Sequence, residues 1–309
     1  MTATTDAPRI ASLVPSGTDL VAALGLADRL VGVSHECDHP VARGLPRLTS
    51  SVLPAPDAHP DPAEVDRAVN AAVAAGTPLY RTDTDTLARL RPDVVLAQSI
   101  CDVCAVSGPE VAGMLPPGSR LVMLTAGDVA GLWRDIRETG AALGRSDAAE
   151  RLVADVQQRF ASVADAVGGR PRPRVLTIEW PDPPFLGGHW VPELIAVAGG
   201  THLLVEPGAP SRRCTWDEVI AADPDVVVLM PCGYDLDAAV AAAPKLPLDR
   251  LRASAEGRVW ALDANRFTSR CTPMIDHTVH LLAGILHPDA FAAPDAADAR
   301  RIAAPTPAG

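Results

Sequence analysis

The sequence contains a single lysine, few aromatic residues and no long apolar segment. Lysine occurs only at Lys245, a bias to which we assign no mechanism. Because no run of eighteen or more apolar residues is present, the sequence predicts no membrane-spanning helix. The net charge of -11 repels phosphate backbones, and no arginine-rich face interleaved with aromatic residues opposes it. Nucleic acid and membrane insertion are therefore excluded from the expected interactions.

The first residues lack the marks of an export signal. Met1 to Arg9 contain no basic start, no apolar core and no small-residue cleavage site. On this basis we expect a cytoplasmic protein, in a compartment where thiols are kept reduced. The six cysteines then need a role other than disulfide formation.

Length and hydrophobic pattern predict an α/β protein with two similar lobes. The 309 residues suffice for two cores, and short apolar runs alternate with segments of helical spacing, which is typical of mainly parallel sheets. The stretch 127–170 has the longest helical pattern, with Ser146 as a helix cap, and predicts a connector. We therefore expect an N-terminal lobe over 1–126, connector helices over 127–170, a C-terminal lobe over 171–290 and a tail over 291–309.

An internal repeat supports the two lobes. The segment Arg91-Pro-Asp-Val-Val-Leu-Ala-Gln98 matches Asp223-Pro-Asp-Val-Val-Val-Leu-Met230, and each is followed by a loop that contains cysteine. In open parallel sheets, ligands bind beyond the carboxyl ends of the strands. The pattern thus predicts a ligand cleft between the lobes.

Cysteines follow several of the predicted strands. The strongest signal is Cys101-x-x-Cys104, a spacing at which two thiols can chelate a soft metal, share an iron-sulfur cluster or form a redox disulfide. His35 and Cys37 follow a neighbouring strand and can complete such a site, with Cys271 reaching across from the other lobe. No second Cys-x-x-Cys exists, which excludes a zinc ribbon. The alternative is that these cysteines are small buried hydrophobic residues.

The second lobe has an aromatic loop between Glu179 and Trp190. A flat ligand can stack on Trp180, Phe185 or Trp190, while Glu179 and His189 supply polar or metal contacts. The alternative is that each tryptophan fills the core of the lobe. Three further predicted ligand contacts lie outside this loop: Ser16, Phe267 and Arg270. Of these, Arg270 is the candidate for binding an anionic group of the ligand.

Several motifs resemble a known family. Arg9-Ile-Ala-Ser-Leu-Val-Pro-Ser-Gly-Thr-Asp-Leu, Leu90-Arg-Pro-Asp-Val-Val-Leu and Pro192-Glu-Leu-Ile-Ala-Val-Ala-Gly-Gly are similar, in order, to the cobalamin and iron-siderophore substrate-binding proteins of ABC importers. The resemblance covers about residues 9 to 287 and is greatest for the cobalamin-binding branch. It implies two lobes joined by one long helix, with a chelate cradled by loop aromatics. Since such a cleft requires no thiols, the Cys-x-x-Cys motif suggests a cytoplasmic branch of the family.

Two functions follow from these patterns. The first is binding of cobalamin or a related metal chelate between the Trp180 and Trp190 wall and the Ser16 side, with an ABC permease as partner only if the protein is exported. The second is a metalloprotein or metalloenzyme in which Cys37, Cys101 and Cys104 hold iron, an iron-sulfur cluster or zinc. An ordinary importer component and a thiol-disulfide enzyme are further alternatives. The sequence leaves open the choice of ligand, any catalysed reaction and the oligomeric state.

Overall fold

A computed structural model describes residues 8–52, 61–100 and 108–303, with side chains of the last range from residue 111 onward. The described residues form two compact units. Unit 1 comprises 8–52, 69–100, 108–126 and 130–155, and unit 2 comprises 61–68, 127–129 and 156–303. The predicted α/β fold with two lobes is confirmed. None of the helices in these ranges combines the length and apolar character that a membrane crossing requires.

The strands of the described ranges are β1 (Ile10–Ser12), β2 (Leu30–Val33), β3 (Thr49–Ser51), β4 (Tyr80–Thr82), β5 (Val94–Gln98), β6 (Arg120–Leu124), β7 (Arg174–Pro181), β8 (Pro184–Leu186), β9 (Thr201–His202), β10 (Arg212–Arg213), β11 (Val226–Leu229), β12 (Val259–Leu262) and β13 (Ala299–Arg301). The α-helices are α1 (Pro15–Ala23), α2 (Pro62–Ala74), α3 (Thr84–Leu90), α4 (Gly108–Met114), α5 (Val129–Ala142), α6 (Ser146–Val167), α7 (Val191–Val197), α8 (Trp216–Ala221), α9 (Leu236–Ala242), α10 (Arg252–Ala255), α11 (Ala264–Phe267) and α12 (Ile275–Leu286).

Unit 1 is built on a parallel sheet with strand order β2-β1-β5-β6. Its central strands are almost continuously apolar because helices cover parallel sheets on both faces. Strands β1 and β5 bury Ala11, Val95 and Ala97 against Leu48, Leu87 and Val111. A separate antiparallel pair, β3 with β4, lies beside this core.

Unit 2 has a longer sheet with a parallel centre and antiparallel edges. The strand order is β10-β8-β7-β11-β12-β13, and β9 pairs with the start of β7. Strands β11 and β12 run parallel to β7, whereas β8, β10 and β13 are antiparallel to their neighbours. The β7–β8 hairpin and the edge strands β10 and β13 were not predicted from the sequence, since each is short and carries no long apolar run.

The internal repeat is reproduced at the level of single hydrogen bonds. In unit 1 the Arg9 N–H donates to Asp93 Oδ2 at 2.7 Å, and the Asp93 N–H returns a bond to the Arg9 carbonyl at 2.8 Å. In unit 2 Arg174 and Asp225 exchange the same two bonds, both at 2.8 Å. Each aspartate follows a proline preceded by a residue with positive φ, 44° at Arg91 and 42° at Asp223. The matched segments therefore clamp equivalent strands in the same way.

The predicted connector consists of two helices, α5 and α6, separated by a tight turn. Gly144 takes a positive φ of 67°, a conformation that ends helices and suits glycine. The helices approach closely beside this turn, because a Cβ placed on Gly140 would lie 2.4 Å from the Cβ of Ala149. The boundary between the two units falls within α6, after Asp155.

Ion pairs fix two helical segments within unit 2. Arg159 on α6 donates from Nη1 to Asp276 Oδ2 of α12 at 2.8 Å. The side chain of Asp276 is only 4% exposed, and its Oδ1 has no hydrogen-bond partner among the described residues. The buried Asp276 carboxylate depends on the charge of Arg159.

A second ion pair lies just before α2. Asp61 Oδ2 is 2.6 Å from the Nζ of Lys245, which holds the pKa of Asp61 below its usual range.

We predict that Arg159→Ala lowers the free energy of unfolding by about 1.5–3 kcal/mol, as expected for loss of a hydrogen bond to a charged group. The loss arises because the buried Asp276 carboxylate is left without its counter-charge. Denaturant unfolding measures the effect. Arg137→Ala is the control, since Arg137 and its partner Glu150 are both well exposed. Equal losses in the two variants would contradict this role for Arg159.

The partly buried imidazole of His202 is expected to make the free energy of unfolding depend on pH. Its Nε2 lies 2.8 Å from Thr177 Oγ1 and its Nδ1 lies 3.3 Å from the Val205 carbonyl, so Nδ1 is the donor to this carbonyl. Burial lowers the pKa of His202 to about 4, against an opposing effect of the Val205 carbonyl.

Because the folded pKa of His202 lies below its unfolded value of about 6.5, the unfolded chain binds the proton first as pH falls. We expect up to about 3 kcal/mol of stability to be lost between pH 6.5 and 4 through this residue. His202→Gln should show a shallower loss over that window in denaturant unfolding. An exposed histidine variant, His280→Gln, should keep the slope of the original protein.

Candidate functional site

The carboxyl end of β7 carries a set of polar groups in unit 2. The backbone hydrogen bonds between β7 and β11 continue past the end of β11. The Met230 N–H donates to the Ile178 carbonyl at 2.9 Å, and the Cys232 N–H donates to the Glu179 backbone carbonyl at 3.0 Å. The pairing of β7 with β8 shifts register between Ile178 and Trp180, so Glu179 lies at a β-bulge. Bulges redirect side chains and are frequent near functional sites.

Four residues are linked to the Glu179 carboxyl group, directly or through Ser211, and together with it form what we call the Glu179 cluster: Glu179, Gly188, His189, Ser211 and Cys232. Ser211 Oγ is 2.8 Å from both carboxylate oxygens of Glu179. The Gly188 N–H and the Cys232 thiol also donate to this carboxylate. His189 joins the cluster through its Nδ1, which is 3.5 Å from Ser211 Oγ. The arrangement links a carboxylate to an imidazole through one hydroxyl group.

Two loops hold this cluster by reciprocal backbone bonds. The His189 N–H donates to the Ala209 carbonyl at 2.6 Å, and the Gly208 N–H donates to the His189 carbonyl at 2.9 Å. The loops touch at Gly188, where a Cβ would lie 2.4 Å from the Ser211 nitrogen and 2.6 Å from the Ala209 oxygen. His189 has a φ of 55°, in the left-handed region that costs free energy for a residue other than glycine. Tight loop contact thus fixes the backbone on both sides of the cluster.

Burial controls the protonation of the cluster. It raises the pKa of Glu179, although the Ser211 hydroxyl, the Gly188 N–H and the Cys232 thiol act in the opposite direction by stabilising the carboxylate. Burial also lowers the pKa of His189. The imidazole is therefore neutral at neutral pH and has a lone pair available for a ligand.

Aromatic rings lie at the same end of β7. Trp180 and Phe185 are directly opposed on the β7–β8 hairpin, a position that places both side chains on one face. Both are partly exposed, and Tyr234 packs edge-on against Trp180 with ring centroids 5.4 Å apart. Trp190 is different: it is 8% exposed, and its Nε1 has no partner among the described residues. Trp180 and Phe185 provide the partly exposed aromatic surface, and the Arg213 guanidinium lies 5.6 Å from the centroid of the Phe185 ring.

The remaining predicted ligand contacts occupy other places. Ser16 lies in the first turn of α1 in unit 1 and is partly buried. In unit 2 Phe267 is 7% exposed, with the Arg266 guanidinium 5.0 Å from its ring centroid, so its ring offers little open surface. Arg270 and Cys271 are partly buried between α11 and α12 and have interactions of their own.

Of the predicted metal ligands of unit 1, His35 and Cys37 lie among the described residues. His35 Nδ1 lies 2.8 Å from Thr49 Oγ1, and burial, followed by the charge of Arg47, lowers the pKa of His35. Arg47 donates to the carbonyls of Ser34 and Cys37 at 3.0 and 2.8 Å, which places a cation beside this loop. Cys37 is 3% exposed.

The metal site itself stays a prediction, because Cys101 and Cys104 lie outside the described residues. Within the described part of the chain, no group of three or more His, Cys, Asp or Glu residues is arranged to hold a metal ion. Of the described cysteines, Cys37 and Cys214 are buried free thiols. Burial raises the pKa of Cys214 to about 11, which fits the alternative of an unreactive buried thiol.

Sequence reasoning found Glu179 and His189 but missed the residues that connect them. Ser211 lies thirty-two positions beyond Glu179 in a short polar segment, and no local pattern joins the two. The pair Gly187-Gly188 was a usable signal, since glycine after a strand often marks close approach of another backbone. That approach is the contact with the loop that carries Ser211.

The chain has two α/β units with parallel cores, and polar and aromatic groups lie at the carboxyl end of a central strand. This combination is typical of two-lobed substrate-binding proteins. The chain belongs to the periplasmic binding protein family, whose profile matches residues 10–265. None of the curated proteins matches the sequence significantly.

Solved structures with the same fold include heme and vitamin B12 binding proteins of several bacteria. A periplasmic heme binding protein of Pseudomonas aeruginosa is 22% identical, with a TM-score of 0.70 over 92% of this chain and 94% of its own. The periplasmic vitamin B12 binding protein of Vibrio cholerae is 20% identical, with a TM-score of 0.65 over 91% and 96%. IsdE of S. aureus, solved with heme, is 15% identical, with a TM-score of 0.68 over 91% and 100%. At these identities the likeness shows the fold.

We predict that Gly188→Ala disrupts the cluster. The added Cβ meets backbone atoms that cannot move cheaply, so the loop of Ser211 must shift away from Glu179. Overpacking of this kind costs about 1–3 kcal/mol, measurable by denaturant unfolding. Gly113→Ala is the matched control, since no atom of the described residues lies within 4 Å of a Cβ there and alanine favours its helix. An undiminished stability of Gly188→Ala would contradict the tight loop contact.

Proposed function

We propose that this protein binds a small metal chelate with a flat ring system, such as cobalamin or heme, as the substrate-binding component of an importer. The observation that carries the proposal is the combination at the end of β7, where two partly exposed aromatic rings accompany a neutral imidazole with a free lone pair. Aromatic faces stack on flat ligands, and imidazole nitrogen is a common ligand of iron and cobalt.

The comparisons support the ligand class. Proteins with this fold bind heme in Pseudomonas aeruginosa and S. aureus and vitamin B12 in Vibrio cholerae. These ligands share a flat macrocycle with a central metal ion whose axial positions accept a nitrogen donor. An imidazole and two aromatic rings suit heme and cobalamin equally, so the proposal names the class of flat metal chelates and not one of its members.

His189 is the proposed axial ligand. Its Nε2 has no hydrogen-bond partner among the described residues, and its Nδ1 faces Ser211 Oγ. The ring is tilted by 35° to that of Trp190, at a centroid distance of 5.8 Å. Because burial lowers its pKa, the ring needs no deprotonation before it binds a metal.

An ABC permease is the proposed protein partner, in keeping with the family. This partner requires export of the protein and is incompatible with the cytoplasmic location, which stays an alternative prediction. The metalloprotein alternative also stays a prediction and rests on Cys101 and Cys104, which lie outside the described residues. The described thiols give that alternative no support, since Cys37 and Cys214 are buried in the cores of their units.

Titration of the purified protein with hemin and with cobalamin, followed by visible absorption, tests the proposal. We expect saturable binding of at least one chelate, with a shift of its visible bands. Trp180→Ala and Phe185→Ala should each weaken binding roughly tenfold, equivalent to about 1.4 kcal/mol.

Phe291→Ala serves as the control, because Phe291 is also a partly buried aromatic residue of unit 2 but lies beyond α12 and packs on His280. It should bind like the original protein. Absence of any saturable spectral change with both chelates would defeat the proposed function. Equal affinities in the Trp180, Phe185 and Phe291 variants would show that the hairpin rings take no part.

A further inference from the structure

The hydroxyl group of Ser211 lies between Glu179 and His189, and its hydrogen bonds have a direction. The Oγ is 2.8 Å from each carboxylate oxygen of Glu179 and 3.5 Å from His189 Nδ1. The Gly188 N–H and the Cys232 thiol also donate to Glu179, and these donors favour its ionised form although burial raises its pKa. A serine hydroxyl has one proton to donate, whereas an ionised carboxylate can only accept. The proton of Ser211 therefore points to Glu179. Towards His189 the Ser211 oxygen is left as an acceptor.

This direction determines which nitrogen of His189 carries the proton. A neutral imidazole has one N–H and one lone pair, and an acceptor beside Nδ1 favours the Nδ1–H form. The lone pair is then on Nε2, which has no partner among the described residues. The backbone of His189 is held at both its N–H and its carbonyl, so the ring starts from a fixed position.

We propose that Ser211, held by Glu179, is a positioning residue that keeps His189 in the Nδ1–H form, so that Nε2 offers its lone pair to the metal centre of the chelate. The inference rests on the proposed function and deepens it. Histidines that ligate metals usually donate their second N–H to an oxygen acceptor, which orients the ring and strengthens it as an electron-pair donor. Here the acceptor is a hydroxyl group polarised by a carboxylate.

The geometry also explains why two loops must meet at Gly188. A side chain at that position would separate Ser211 from Glu179, because it would strike the Ser211 nitrogen at 2.4 Å. The Gly188 N–H additionally donates to Ser211 Oγ at 3.3 Å. The hydroxyl oxygen thus accepts one hydrogen bond from Gly188 and has a second lone pair for His189.

Nitrogen NMR of the ligand-free protein tests the positioning role without any chelate. In long-range proton–nitrogen spectra at neutral pH, with the His189 signals assigned by their loss in His189→Gln, we expect a protonated Nδ1 and an unprotonated Nε2. Ser211→Ala should shift the ring towards the Nε2–H form, whereas Ser211→Thr should retain the original one. Ser162→Ala, an exposed serine on α6, is the control. An Nε2–H ring in the original protein, or an unchanged ring in Ser211→Ala, would overturn the proposal.

Hemin binding gives the second readout. Loss of an outer hydrogen bond to a metal-ligating histidine typically weakens binding 10–100-fold, so we expect roughly that loss in Ser211→Ala, with a changed visible spectrum, and recovery in Ser211→Thr. Identical hemin affinity and spectrum in Ser211→Ala would overturn the positioning role. Failure of the original protein to bind any chelate would instead defeat the proposed function, and the NMR result would still decide which form of the His189 ring Ser211 selects.

Discussion

The parallel pairing of β7 with β11 is the contact on which the second unit depends. It joins two fully buried runs, and its hydrogen bonds extend beyond β11 to Cys232. Because parallel strands end at the same edge of a sheet, this one pairing brings the Glu179 bulge and the loop after β11 together. The hairpin to β8 then adds the aromatic rings, and the loop before β10 adds Ser211. Every group of the candidate site is attached to this edge.

The clamp at the opposite end of the strands shows how the repeat is maintained. Asp93 and Asp225 each bind the backbone of the first strand of their unit through both a carboxylate oxygen and a backbone N–H. A left-handed residue before the proline turns the chain into this position, and it is an arginine in one unit and an aspartate in the other. The side chain at that point matters less than the backbone geometry. This explains why the repeat survives with few identical residues outside the Pro-Asp-Val-Val core.

The sequence predicted the regular part of the fold well and the site only in part. Buried strands such as β5 and β11 are almost continuous apolar runs, so their positions follow from hydrophobicity alone. The two-residue strand β10 depends on a partner distant in the chain and leaves no such pattern. Glu179 and His189 were recognised because they lie in one segment of the sequence that is rich in aromatic residues. Ser211 was not recognised, because it lies outside that segment. Its role comes from a contact between loops, which only the folded backbone creates.

The ion pair between Lys245 and Asp61 has a chemical consequence. Arginine supplies every other permanent side-chain cation of the chain, and its guanidinium group stays protonated at any pH a protein survives. Lys245 is thus the single side-chain amine, and Asp61 raises its pKa further. A zero-length carbodiimide coupling would convert this contact into an amide bond with no competing lysine elsewhere. The segment 61–68 can in this way be linked covalently to residue 245, through the Asp61 carboxyl group and the Lys245 amine that are already in contact.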